Sequence, residues 1–324
     1  MMLQKSIRDV VDHSALEHRM FREQLGGLCR VIDDTLANRP PSIEWLIGPS
    51  RVGKSHLVEA LARMYPQTRI NGARLLPVLV VPLPSPVSPL LLPISVLEAL
   101  DVPPGASPKK YFKRMSDQLR LAKTRVLLIE EASHAVEPGA RVIPRAAGDW
   151  FKQVHDQLGM TIIMFGLPRL ERLFASNEQL RGRALARREL RPYCCSVELD
   201  FREFASYVRT YLEFFRQKGW TCDVPLDAVV KNCYLISGGL VGVVSKMMRQ
   251  LAIRISRDAI RPLTFDDFAM AAEAIEHFAH PACMPFSKLL VEPVELNQAH
   301  RYVLDISGMS FKPMVPAKSD RSVP

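Results

Sequence analysis

The residues best suited to chemistry are Gly48-Pro49-Ser50-Arg51-Val52-Gly53-Lys54-Ser55, which fit the spacing Gly-x-x-x-x-Gly-Lys-Ser/Thr. In this pattern the glycines let the backbone curl until its N–H groups face a phosphate. Lys54 brings a positive charge to the outer phosphates, and the Ser55 hydroxyl is a ligand for Mg²⁺. A helix running on through His56 would aim its positive end at the same anion. The nucleotide contacts are therefore expected from Gly48 to His56, with ATP and Mg²⁺ as the bound species.

A second constellation lies downstream. Val126-Leu127-Leu128-Ile129 is an apolar run that ends in Glu130-Glu131. Two acids at the end of a buried strand suit a metal-side carboxylate followed by a base for water. Glu130 is then expected beside the metal with Ser55, and Glu131 as the catalytic base. The usual pair is Asp-Glu, so the metal-side acid here is one methylene longer. A strand running out into a solvated acidic turn is the plainer alternative, and the phosphate loop upstream argues against it.

Both motifs need a sheet to hold them. Glu44–Ile47 is an apolar run directly before Gly48, and the residues after Ser55 carry helical spacing at Leu57, Leu61 and Met64. Further strands are expected at Val78–Val81, Val126–Ile129 and Thr161–Phe165. Helices are expected between them at Pro93–Leu100, Lys109–Lys123 and Trp150–Leu158. Strands alternating with helices make an α/β sheet, mostly parallel. After about residue 200 only helical patterns remain, at Phe201–Phe215, Leu226–Leu235, Leu240–Arg257 and Phe265–Phe278, the last capped by Thr264. The expected organisation is a helical segment over 1–40, with Ser14 capping a helix through His18 and Leu25, and an α/β nucleotide-binding domain over 41–199. A helical lid over 200–280 and a C-terminal segment and tail over 281–324 follow.

Composition narrows the class. The chain has 324 residues and 48% hydrophobic residues, ample for a buried core. Leu75–Leu100 is its most apolar stretch, but six prolines between Pro77 and Pro93 break any membrane-spanning helix. With no apolar leader at the N-terminus, a cytoplasmic location and no membrane are expected. The six cysteines form no Cys-x-x-Cys pair, so they read as reduced thiols rather than metal ligands. The net charge of +9 suits a polyanionic partner.

Beyond the two motifs, several segments carry a family resemblance. They are Pro77–Pro86 leading into Ile94–Leu100, Leu127–His134, Phe165-Gly166-Leu167-Pro168, Asn177–Arg183 with its Gln-Leu-x-x-Arg spacing, and Ser237–Gly242. Over roughly residues 10–255 the chain resembles the TniB/TnsC family of AAA+ ATPases of transposition, and in its compactness the TnsC of CRISPR-associated, Tn7-like transposons. The resemblance implies an AAA+ P-loop domain followed by a small helical lid. It also implies an ATP-dependent ring or filament, hexameric or heptameric, on double-stranded DNA without sequence preference. Such an assembly connects a TniQ-type targeting protein to transposase subunits. Arg183 matches the family's arginine, implying a finger that reaches the γ-phosphate of a neighbouring copy, with Arg181, Arg187 and Arg188 nearby. Two departures stand out: the sensor position after the fourth strand is Leu167, and the one opening the lid helix is Val241. The nearest cation to the latter is Lys246, one turn on, and slow hydrolysis is expected.

For DNA, Lys109, Lys110, Lys113 and Arg114 fall largely on one face of a predicted helix, while Arg141 and Arg145 lie in the predicted loop after Glu131. An ordinary solvated helix face is the plainer account of the lysines. A secretion or motor ATPase not acting on DNA shares the Gly-x-Pro step at Gly166–Pro168, but usually adds a membrane or cell-wall extension. A metabolic kinase fits poorly with a helical lid and an arginine acting in trans.

Overall fold

The computed structural model describes residues 6–309, apart from Ala15, Pro138, Arg141, His277 and Phe278. Arg141 and the last part of the expected tail therefore lie outside the described residues. In chain order, α1 (Ile7–Asp12) and α2 (Arg19–Leu36) precede β1 (Ile43–Ile47) and α3 (Lys54–Met64). A hairpin of β2 (Thr68–Ile70) and β3 (Ala73–Leu75) leads to β4 (Val78–Pro82), α4 (Leu91–Ala99) and α5 (Tyr111–Leu121). Next come β5 (Val126–Glu130), α6 (Pro144–Leu158), β6 (Thr161–Gly166), α7 (Glu171–Ala175), α8 (Glu178–Arg181) and β7 (Arg188–Glu189). The remainder is helical: α9 (Glu198–Gln217), α10 (Leu226–Ser237), α11 (Val241–Ile255), α12 (Phe265–Glu273) and α13 (Pro293–Ile306).

The five-stranded sheet runs β4-β5-β6-β1-β7 with every pair parallel. A parallel sheet is covered on both faces, so its strands read as continuous apolar runs, and β1 is buried throughout. Alternate residues still serve opposite faces. Leu46, Leu128 and Phe165 join the core shared with α2, α3 and the C-terminal helices. Trp45, Ile47, Ile129 and Met164 join the core under α4, α5 and α6. In an open parallel sheet, ligands bind at the carboxyl ends of the strands. Gly48, Glu131 and Leu167 directly follow β1, β5 and β6 at that edge.

Several expectations shift. Ser14 caps no long helix: Ser6 makes the capping box of α1, and α2 opens at Arg19 with His18 at its N-cap. Arg145 is in the first turn of α6, not in a loop, because Pro144 begins that helix and suits its first position. Lys109 and Lys110 belong to a short 3-10 turn that runs into α5, and Lys113 to the first turn of α5. The stretch after Pro281, which shows little periodicity as sequence, contains α13, whose Leu296, Ala299 and Val303 pack into the core. Thr264 does cap α12, in a capping box with Asp267. Among the described residues, no single helix is long and apolar enough to cross a membrane.

Candidate nucleotide site

The loop after β1 is shaped by its neighbours. An added Cβ on Gly48 would lie 2.3 Å from the Leu190 carbonyl oxygen, so only glycine lets β7 and the loop meet. Gly53 stands at the N-cap of α3 with φ of 105°, again a conformation suited to glycine. The N-terminal end of α3 then faces the cavity with its free amides.

Lys54 curls back over the loop, its Nζ donating to the carbonyls of Gly48 and Pro49 at 2.8 Å each. Burial pulls its pKa down to about 8, while the nearby Glu131 carboxylate acts to raise it. Glu131 follows β5 with φ of 50° and ψ of 35°, a left-handed conformation uncommon outside glycine. Such backbone concentrates at functional sites. Glu130 is half-buried; burial pushes its carboxyl up, and the neighbouring Ser55 hydroxyl partly offsets this. The segment after Glu130 is stitched to the end of β4. Leu83 N–H donates to the Glu130 carbonyl at 3.0 Å, and His134 Nδ1 lies 2.9 Å from the Leu83 carbonyl oxygen.

Around this corner is a cavity of about 390 Å³, walled by three parts of the chain. The phosphate-loop side gives Arg51, Gly53, Lys54, Ser55 and His56, with Glu131 and Leu167 from the neighbouring strand ends. The segment before α2 gives Ser14, Leu16 and His18, and the helical part gives Tyr207, Tyr211, Val241 and Arg249. The helical part is tightly docked. Gly242 N–H donates to the Arg51 carbonyl at 3.0 Å, and an added Cβ on Gly242 would sit 2.3 Å from that oxygen. Arg249 pairs with Asp12 at 2.9 Å, tying α11 to α1. Asp200, only 1% exposed, receives Arg19 at 2.7 Å and Arg191 at 2.9 Å, which fixes α9 to the start of α2. A buried carboxylate shared by two guanidiniums is costly to disturb.

The structure therefore brings Lys54, Ser55, His56 and Glu131 around one cavity, and Glu130 to Ser55. Leu167 and Val241 line the same cavity and offer it no charge. Arg183 is held elsewhere in the chain, its Nε 2.8 Å from Asp156 and its Nη1 donating to the Gln179 carbonyl at 3.0 Å. Arg187 pairs with Glu171 and Glu189, and Arg188 with the buried Glu44. Lys109, Lys110, Lys113 and Arg145 are all exposed. On α5 itself, Asp117 lies 3.7 Å from Arg120.

Sequence reasoning missed His18, Tyr207, Tyr211 and Arg249 as cavity residues. They carry no motif, and they reach the site only through packing of the N-terminal segment and the lid. The spacing of α11 does hold one usable signal: Arg249 follows Lys246 by three residues, on nearly the same helix face.

Comparison with known proteins places this geometry. The family described as bacterial TniB protein matches residues 7–192. No curated protein matches. Among solved structures, the chain is similar to the ORC2 protein of Aeropyrum pernix in its ADPNP–ADP complexes, with a TM-score of 0.58 and 16% identity over 83% of this chain and 71% of that one. Cdc6p from Pyrobaculum aerophilum gives a TM-score of 0.59 at 13% identity, over 82% of this chain and 70% of that one. The ORC1 protein of Aeropyrum pernix, solved in complex with DNA, gives 0.55 at 16% identity, over 83% and 70%. At these identities the likeness is one of fold, that of an AAA+ P-loop protein with a helical C-terminal region.

Proposed function

The chain belongs to the TniB family, and on that basis we propose that it is an ATPase of transposition that assembles on duplex DNA under the control of bound ATP. The observation that carries this reading is the convergence of Lys54, Ser55, Glu130 and Glu131 on one corner of the sheet, closed over by a docked helical lid. The loop amides and the N-terminus of α3 cradle the phosphates, and Lys54 exchanges its two carbonyl partners for phosphate oxygens. Ser55 and Glu130 supply hard oxygen donors side by side, which suits Mg²⁺. A magnesium ion held there would supply charge neutralisation for the phosphates.

Glu131 takes a proton from the water that attacks the γ-phosphorus; the bond to the bridging oxygen breaks, leaving ADP and phosphate. Leu167 and Val241 give no polar help to that step, and Arg249 is held by Asp12. Turnover is accordingly slow, and ATP serves more as a clamp than as fuel. Arg183 serves a neighbouring copy's γ-phosphate in a ring or filament, which requires exchanging Asp156 for that phosphate. The assembly then links a TniQ-type targeting protein to the transposase, a role supported by the family match.

DNA contact is assigned to Lys109, Lys110 and Lys113, with Arg141 and Arg145 as a second group. The support is exposure of the lysines and Arg145, the basic balance of the chain, and a fold shared with a protein solved on DNA. Phosphate contacts carry no sequence information, so binding is indifferent to sequence. For duplex DNA each neutralised phosphate adds about 0.9 to the slope of log affinity against log salt. Lys109→Ala with Lys110→Ala is expected to weaken ATP-dependent binding equally on unrelated duplexes. If each lysine neutralises one phosphate, the slope flattens by about 1.8 per engaged subunit. Fluorescence anisotropy across a salt series measures both. An unchanged slope removes these lysines from the DNA surface and leaves the ATPase reading standing.

A further inference from the structure

Among the described residues, His18 is the one buried side chain at the nucleotide cavity with an unanswered polar atom. The residue is 7% exposed, yet it borders the cavity, and its Nε2 has no protein partner. That atom lies 4.0 Å from where a Cβ on Gly53 would stand, beside the phosphate loop. Buried polar atoms are almost always paired, so an unpaired one on a residue that lines a cavity points to a ligand.

The other ring nitrogen fixes what Nε2 offers. Nδ1 lies 2.8 Å from the Tyr193 hydroxyl. That hydroxyl accepts from the Met20 N–H at 3.5 Å, and among the described residues Nδ1 is the acceptor within reach of its own proton. Nδ1 is then an acceptor, and the ring carries its hydrogen on Nε2. Burial, aided by the charges of Arg22 and Arg19, pulls the pKa of His18 down to about 4, so the ring is neutral at ordinary pH. Tyr193 is itself clamped: its N–H donates to Gly239 at 3.0 Å, and Tyr234 donates to its carbonyl at 2.6 Å. The N–H of His18 is thus held in one place before any ligand arrives.

We propose that His18 reads the base of the bound nucleotide, donating its Nε2–H to a ring nitrogen of a purine. The inference rests on the nucleotide-site reading above. A phosphate calls for the cation and amides that the Lys54 end supplies; a neutral, buried N–H suits a neutral acceptor. The ring stands among Phe21, Tyr193 and Tyr207, with centroids at 6.0, 5.4 and 6.1 Å, and Tyr207 and Tyr211 extend that wall. Flat apolar walls with one fixed polar atom are what a heterocycle needs.

The test is calorimetric titration of the full chain with ATP and its 1-deaza, 3-deaza and 7-deaza analogues, each lacking one ring-nitrogen acceptor. One analogue should bind the wild type about tenfold more weakly than ATP, since the buried N–H then loses its partner. In His18→Phe, ATP and that analogue should bind alike. Tyr193→Phe, which removes the hydroxyl that sets the tautomer, should shrink the preference while retaining ATP binding. If the phenylalanine variant at His18 fails to fold, the wild-type series and Tyr193→Phe decide the matter alone. Equal binding of all three analogues overturns the proposal, as does a preference that survives unchanged in the variants. A loss seen only with 2′- or 3′-deoxy analogues also overturns it by moving the contact to the ribose. A wild type that binds no ATP overturns the nucleotide site itself, a different failure.

Discussion

Lys54→Ala is expected to weaken ATP binding by at least about a hundredfold. Removing one partner of a buried, hydrogen-bonded charge pair costs about 3 kcal/mol or more. The Lys54 amine donates to the carbonyls of Gly48 and Pro49, partners it can exchange for phosphate oxygens when ATP binds. Its pKa adds a pH signature. The charged amine attracts the phosphates, and burial has lowered its pKa to about 8. Above that pH the amine is neutral before ATP binds, and binding must first take up a proton. Affinity should therefore fall as pH rises through about 8 and level off below it, a trend that Lys54→Ala should lose. Calorimetry across pH measures both effects, and micromolar ATP affinity in the variant would falsify the role of Lys54.

Glu131→Gln should leave ATP bound and slow its hydrolysis by about 10²–10⁴-fold, the usual contribution of a general base. Glutamine keeps the length and hydrogen-bonding reach of the side chain but accepts no proton. The left-handed backbone at Glu131 is unaffected by the exchange, so the carbonyl group of the side chain should remain aimed at the cavity. Any assembly on DNA that ATP stabilises should then live longer. Phosphate release under saturating ATP is the readout. Unchanged turnover would mean that the proton goes to another group, and Glu130, beside Ser55, would be the first to examine.

Much of this site is legible in the sequence because its chemistry is local. The phosphate loop is one unbroken segment, with an apolar run before it and helical spacing after it, and it folds as that pattern requires. Glu130 and Glu131 are legible for the same reason. Parallel strands buried on both faces also announce themselves as continuous apolar runs. What escapes is whatever depends on distant packing. His18 lies some thirty positions before the phosphate loop, at an N-cap that lacks the usual oxygen, and only Tyr193 reveals its purpose. Arg249 and Tyr207 reach the cavity because Gly242 lets the lid touch Arg51. Strand β7 has two residues, too few for any periodicity, and is set by pairing with β1. Arg145 is a different case: Pro144 is a readable helix-start signal, and it moves Arg145 from the expected loop into the first turn of α6.

The most direct measurement on the central claim is electron microscopy of the full chain with duplex DNA, with and without ATP. The account predicts rings or filaments on DNA when ATP is present and none in its absence, on any sequence. Bare DNA with ATP even at low salt would contradict the transposition reading and favour an ATPase that acts on something other than DNA.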